Sequence, residues 1–129
     1  MEKPVAIVTG GGKGIGAACC RALAQEGFRV GIHYRKSSGE ARLLLEDIGD
    51  GFLIQADLAD IDQVERMAAS LKELSPHVEV LVNNAGMSIN ADIMTMKIEQ
   101  FDEQRALTRG IWYLTKRIIR LFFQFRPKE

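Results

Sequence analysis

The sequence carries no net charge, because 17 lysines and arginines balance 17 aspartates and glutamates. No basic stripe stands out either, which argues against a nucleic-acid surface. No apolar run approaches the length of a membrane-spanning helix, and a strand-like segment begins within a few residues of the start, leaving no room for a secretory leader. The expected compartment is the cytoplasm. Cysteine is scarce, with only Cys19 and Cys20. They are neighbours on a helix-like segment and point about 100° apart, which does not permit an ordinary disulfide between them. No histidine or aspartate spacing nearby suggests a metal. With 129 residues, 47% of them apolar, the chain suits one domain with a real core.

What the sequence does have is glycine in one informative place. Thr9-Gly10-Gly11-Gly12-Lys13-Gly14-Ile15-Gly16 lies between the apolar run Val5-Ala6-Ile7-Val8 and a helix-like run from Ile15 to Glu26. The apolar run is too short for a helix and suits a strand buried on both faces of a parallel sheet. Gly10, Gly14 and Gly16 allow positive φ, close approach of a ligand to the backbone, and tight packing of helix on strand. The expected apolar face of the helix is Ile15, Ala18, Cys19, Ala22 and Leu23. Its free N–H groups and positive dipole end would open into the loop as an anion site suited to a pyrophosphate. No Gly-Lys-Ser/Thr follows, so the loop is not a P-loop.

The rest of the chain alternates strand and helix. Gly27 ends the first helix, and Phe28 to Tyr34 reads as the second strand. Ser37 or Ser38 caps a second helix through Ile48, Gly49-Asp50-Gly51 is a turn, and Phe52 to Ala56 a third strand. Asp60 caps a third helix with Val64, Met67, Ala68 and Leu71 on its apolar face, stopped at Ser75-Pro76. Val78 to Val82 is a fourth strand, followed by Asn83-Asn84-Ala85-Gly86. Right-handed crossovers then predict an α/β, Rossmann-like parallel sheet in the order 3-2-1-4, flanked by helices. The ligand crevice of such a sheet lies at the carboxyl ends of the strands, where the glycine loop, Arg35, Asp57 and Asn83 all fall.

The end of the second strand bears on the cofactor. An acidic residue there favours NAD through the ribose 2′-hydroxyl, and arginine accommodates the 2′-phosphate of NADP. This chain offers Arg35 and Lys36 and no carboxylate until Glu40, with Lys13 on the same side. Charge-assisted contacts contribute roughly 1.5–3 kcal/mol each where well formed, so NADP is favoured over NAD. Lys36 is equally readable as a solvated loop charge. Asp57 reads either as an acceptor for the adenine amino group or as a turn residue after a strand. His33 reads as a packed strand residue with no visible partner.

Thr9-Gly10-x-x-x-Gly14-Ile15-Gly16, Asp57-Leu58 and Asn83-Asn84-Ala85-Gly86, in this order, resemble the short-chain dehydrogenase/reductase family, especially its 3-oxoacyl-carrier-protein reductase branch. The likeness runs from about residue 3 to about residue 121. It implies that Gly10, Gly12, Lys13, Ile15 and Gly16 line the pyrophosphate and ribose, and that Asp57 and Leu58 hold adenine. Asn83, Ala85 and Gly86 would line the ribose nearer nicotinamide. The implied partner is a small carbonyl or alcohol substrate, with 3-oxoacyl thioesters implied by the reductase branch.

The resemblance also implies a substrate-polarising serine on a later strand and a Tyr-x-x-x-Lys pair; no such strand is read in this sequence, and no tyrosine has lysine at the fourth place after it. Tyr113 is followed by Lys116 three residues on and by Arg117 at the fourth place, and arginine stays protonated, so it cannot join a proton relay. No residue is therefore assigned a catalytic role. Thr108 stands where the family usually has asparagine, and Gln124 to Glu129 do not read as the approach to a fifth strand. Residues 1–129 are read as one dinucleotide-binding domain, incomplete on its C-terminal side. A final helix between Phe101 and Phe125 carries more apolar surface than one sheet face covers, which points to a homo-oligomer through 101–125 or to packing on strands not present. The alternative function is a catalytically inactive nucleotide-binding or subunit-interaction module.

Overall fold

The computed structural model describes residues 3–74, 77–86 and 92–123. Strands and helices alternate along the chain: β1 (Val5–Val8), α1 (Gly14–Gln25), β2 (Arg29–Tyr34), α2 (Ser38–Ile48), β3 (Gly51–Gln55), α3 (Ile61–Leu74), β4 (Val78–Val82) and α4 (Ile98–Phe123). All four strands are parallel, in the order β3-β2-β1-β4. This is the Rossmann-like arrangement the alternation predicts. Residue Val8 of β1 lies opposite Ile32 of β2 and Val82 of β4. Strands β1 and β4 therefore end level, with β2 running two residues further, and whatever follows them is brought to one edge.

The apolar runs are strands because both sheet faces are covered. Every residue of β1 is buried. Val5 and Ile7 pack on one face with Val64 and Leu71 of α3 and Leu114 and Ile118 of α4. On the other, Val8, Val30 and Ile32 meet Cys20 of α1 and Leu44 of α2. Such alternation puts successive side chains into opposite layers. For α3 the sequence pattern reads correctly, since Val64, Met67, Ala68 and Leu71 are its buried residues. Its start is held as expected: Asp60 Oδ1 accepts from the Asp62 and Gln63 backbone N–H groups at 3.0 and 3.4 Å, and Gln63 Nε2 returns a bond to Asp60 Oδ2. The expected stop at Ser75-Pro76 lies outside the described residues.

The predicted face of α1 is only partly right: Cys19 and Leu23 are half-buried against the core, but Ile15, Ala18 and Ala22 are not. Its buried residues are Gly16, Ala17 and Cys20, while Ile15 is 77% exposed and Ala18 and Ala22 are exposed. The helix is rotated by a contact that a hydrophobic pattern cannot register. A Cβ on Gly16 would lie 2.2 Å from the Gly10 carbonyl oxygen, so Gly16 is where helix and loop touch, and the bulky Ile15 must turn away. Gly16 is thus needed for space; positive φ falls to Gly10 and Gly14, not to it. Gly51, expected in a turn, opens β3.

Helix α4 begins at Ile98, earlier than expected, and its described part ends at Phe123; residues 124 and 125 lie outside it. Leu114, Ile118 and Leu121 are buried against the sheet, whereas Phe101, Trp112, Ile119 and Phe123 are exposed. No helix among the described residues is long and apolar enough to cross a membrane.

Candidate functional site

Three strand ends meet at the Gly10 peptide. Gly10 adopts φ +62°, a region costly for residues with a Cβ, and a Cβ there would sit 3.1 Å from the Ala85 Cα. Its N–H donates to His33 Nδ1 at 3.0 Å, and its carbonyl oxygen accepts from Asn84 Nδ2 at 3.0 Å. The next residue, Gly11, donates its N–H to the His33 carbonyl oxygen. The preceding residue, Thr9, is fully buried, and its hydroxyl oxygen accepts from the Asn84 and Ala85 N–H groups at 3.1 and 3.0 Å while donating to Val82 O at 3.3 Å. The glycine loop is thereby tied to β2 and to the segment after β4.

His33 is the packed strand residue the sequence suggests, but it has two partners that the sequence did not show. It is buried, with 2% exposure, and its Nε2 lies 2.9 Å from the Ala56 carbonyl oxygen. A carbonyl only accepts, and Nδ1 is already accepting from Gly10, so the ring is neutral with its proton on Nε2. Burial holds its pKa below the ordinary histidine value, against the opposing pull of the Ala56 bond and the Asp57 charge. A signal was available: a polar residue at the end of a fully covered central strand must find partners.

Above this floor opens a cavity of about 550 Å³, within the range of small-molecule and cofactor sites. Of the predicted residues, Gly10, Gly12, Lys13, Arg35, Asp57, Leu58, Ala85 and Gly86 line it. Gly14, Ile15, Gly16 and Asn83 are not in its wall. Asn83 instead donates through Nδ2 to Thr115 Oγ1 on α4 at 3.1 Å, and Asn84, not singled out in the sequence, lines the cavity in its place. Lys36 and Ser37 join Arg35 on one side, and Glu103 and Leu107 of α4 close the other. Arg35 Nε approaches Asp57 Oδ2 at 3.9 Å, a partly exposed contact worth little energetically. The Asp57 Oδ1 caps the following turn by accepting from Ala59 N–H.

The wall fits a dinucleotide in donor chemistry. Helix α1 starts beside the cavity with Lys13 at its N-cap, no side-chain cap and no acid in its first turn. The free N–H groups of that turn and the dipole therefore face the loop without an internal anion to satisfy them. Cys20, whose Sγ donates to Gly11 O at 3.6 Å, supports the loop from below. Burial pushes its thiol up to about 12, so it is an inert packing group.

Two remaining candidates lie elsewhere. The Tyr113 hydroxyl donates to the Glu65 carboxylate, which raises its pKa, with desolvation and the Glu65 charge adding to the effect. Arg117 pairs with the same carboxylate at 3.0 Å. This cluster joins α3 to α4 and is not part of the cavity wall. Thr108 is exposed and bonds back to Gln104 O within its own helix. Among the described residues no group of three or more His, Cys, Asp or Glu side chains is placed to hold a metal.

The profile of the short chain dehydrogenase family matches residues 4–123. The chain belongs to this family. It is similar to the 3-oxoacyl-[acyl-carrier-protein] reductase FabG of Staphylococcus aureus, with 37% identity over 76% of the chain and 42% of the reductase. A solved 3-oxoacyl-[acyl-carrier protein] reductase of Brucella melitensis superposes with a TM-score of 0.86 at 30% identity, over 100% of this chain and 54% of that one. A Burkholderia cenocepacia short chain dehydrogenase, solved in complex with NADP, gives a TM-score of 0.85 at 30% identity, over 92% of this chain and 50% of the other. The chain spans about half the length of the curated relatives it matches.

Proposed function

We propose that this short chain dehydrogenase chain is the NADP-binding part of a cytoplasmic oxidoreductase that interconverts a ketone and a secondary alcohol, with 3-oxoacyl thioesters as the favoured substrate class. The observation that carries the reading is one cavity lined together by the glycine loop, by Lys13, Arg35 and Lys36, and by Asp57 and Ala85. The uncapped start of α1, through the backbone of Gly14, Ile15 and Gly16, takes the pyrophosphate. Lys13 and Arg35 take the 2′-phosphate, Asp57 and Leu58 flank adenine, and Ala85 and Gly86 border the second ribose. Asn83 acts from behind this wall, holding it to α4 through Thr115. Bound NADPH supplies the hydride for the carbonyl carbon. Solved relatives in complex with NADP or NADPH support the cofactor class.

The test is calorimetric titration of the purified chain with NADPH and NADH. NADPH binds more tightly, by on the order of ten-fold for one well-formed charge-assisted contact, and Arg35→Asp narrows or reverses the gap. Equal affinities in the unaltered chain refute the NADP reading.

A second reading is a nucleotide-binding or subunit-interaction module without catalysis of its own. It is favoured by the engagement of the Tyr113 hydroxyl with Glu65, outside the cavity. Ketone-dependent NADPH oxidation by the chain decides against it. In either reading copies of the chain associate through the exposed apolar residues of α4.

A further inference from the structure

The hydrogen bonds of His33 run in opposite senses from one ring. Nδ1 accepts from Gly10 N–H in the glycine loop, and Nε2–H donates to Ala56 O at the end of β3. The first contact reaches back 23 residues and the second forward by 23, so one side chain joins the glycine loop that leads into the proposed pyrophosphate site to the segment just before Asp57 and Leu58, assigned above to adenine. Gly10 is held on its other side by Asn84, and the ring itself borders the cavity.

We propose that His33 is a positioning residue for the dinucleotide: its neutral ring holds the Gly10 peptide in the cofactor-binding arrangement, and a proton taken up at Nδ1 releases the loop and weakens binding. The proposal rests on the cofactor reading above.

The chemistry of the ring makes the protonated state incompatible with this arrangement. An imidazolium has two N–H donors and no acceptor. Protonation at Nδ1 sets an N–H against the Gly10 N–H, which loses its acceptor, and leaves a charge on a ring with 2% exposure. The ionisable groups around the same cavity are Asp57 after β3, Tyr34, Arg35 and Lys36 following on its own strand, Lys13 from the glycine loop and Glu103 from α4. On the opposite face of β2, Cys20 packs with Val30 and Ile32. Of these, Asp57 favours the proton, and burial outweighs it.

Folding stability follows the same sign. The unfolded chain takes up this proton near the ordinary value of 6.5 and the folded chain only below it. The contribution of the neutral ring is therefore fully present above 6.5 and declines as pH falls from there toward the folded value.

The experiment compares the full chain with His33→Asn and His33→Phe. Asparagine puts an uncharged acceptor close to the position of Nδ1 and does not titrate; phenylalanine fills the space with no acceptor. Nitrogen-15 NMR of the unaltered chain, which has only two histidines, reads the tautomer and titration of His33 without any cofactor. Its signals are assigned by their loss in His33→Asn. The expected results are an Nε2–H tautomer that titrates below 6.5, and NADPH binding about ten-fold weaker in His33→Phe, the factor for an unpaired buried N–H. Binding in His33→Asn stays within a few-fold of the unaltered chain, with a shallower fall in affinity between about pH 7 and pH 5. The cofactor's own phosphate titrates equally in both proteins, so only the difference in slope reports on His33.

An Nδ1–H tautomer, titration at or above 6.5, unaltered binding in His33→Phe, or the same pH slope in His33→Asn overturns the proposal. A chain that binds neither NADPH nor NADH overturns the cofactor reading and this role with it, whereas binding that is indifferent to His33 overturns the role alone.

Discussion

Gly110 is the position at which the packing of α4 can be tested most sharply. It is buried in the middle of the helix, and a Cβ there would lie 1.5 Å from the carbonyl oxygen of Leu58 and 2.7 Å from its carbonyl carbon. Real Cβ contacts essentially never fall below 3.0 Å, so Gly110→Ala requires α4 and the segment after β3 to separate by about 1.5 Å. The obstructing atoms are backbone, which no rotamer change can move. Overpacking of this kind costs about 1–3 kcal/mol and occasionally more, and this contact belongs at the upper end. Alanine returns about 1 kcal/mol of helix propensity over glycine, leaving a net loss of about 2 kcal/mol. Gly39 in α2 is the matched control, because a Cβ there meets nothing within 4 Å and no positive φ forbids it. Gly39→Ala raises stability by about 0.4–1 kcal/mol. Urea unfolding followed by far-UV circular dichroism measures both. The displaced wall includes Leu58 on one side and Leu107 and Glu103 on the other, so Gly110→Ala also weakens NADPH binding in the calorimeter. A Gly110→Ala protein as stable as the parent, with Gly39→Ala behaving as stated, refutes the close backbone crossing.

Two other perturbations address the floor of the cavity and the outer face. Thr9→Val preserves shape but removes the acceptor shared by the Asn84 and Ala85 N–H groups; the expected loss is about 2 kcal/mol in urea unfolding, with weaker cofactor binding, and a change below about 0.5 kcal/mol contradicts the assignment. Trp112→Glu with Ile119→Lys places charges on two exposed positions of α4; under the proposed association of copies through this helix, light scattering after size exclusion shows a smaller assembly than the unaltered chain with unaltered circular dichroism, and an unchanged mass or a monomeric unaltered chain refutes that association.

The parts of this fold that were legible in sequence are those written in side chains at regular spacing. The strand order follows from alternation and crossover handedness, and the face of α3 follows from Val64, Met67, Ala68 and Leu71 because each contributes apolar bulk at a helical interval. The face of α1 was only partly legible, for the opposite reason: the residue that sets its rotation, Gly16, acts through the absence of a side chain. Gly110 escaped notice in the same way. In Asn83-Asn84 the letters do not say which amide turns toward the loop. That is settled by long-range partners, Gly10 for Asn84 and Thr115 for Asn83. His33 needed both Gly10 and Ala56 in place before its ring had a meaning. Contacts between residues far apart in sequence, and contacts made by missing atoms, leave no periodic trace.

The Gly10 peptide draws these observations together. Its N–H is taken by His33, its oxygen by Asn84, and the same oxygen leaves no room for a side chain on Gly16. The end of β1 is thus fixed by β2, by the segment after β4 and by α1, and the neighbouring Thr9 repeats the tie to β4. These bonds lie within residues 9–85, and the His33 ring carries the same network on to Ala56, just after β3. The arrangement that holds the start of α1, the proposed pyrophosphate site, against the loop is therefore built within the described chain. Cofactor binding can accordingly be measured on this polypeptide separately from turnover: Gly16→Ala must drive the loop and helix apart, and the same substitution has no effect on the Tyr113, Glu65 and Arg117 cluster between α3 and α4. Loss of NADPH binding with retained α3–α4 packing is what a self-contained cofactor loop requires.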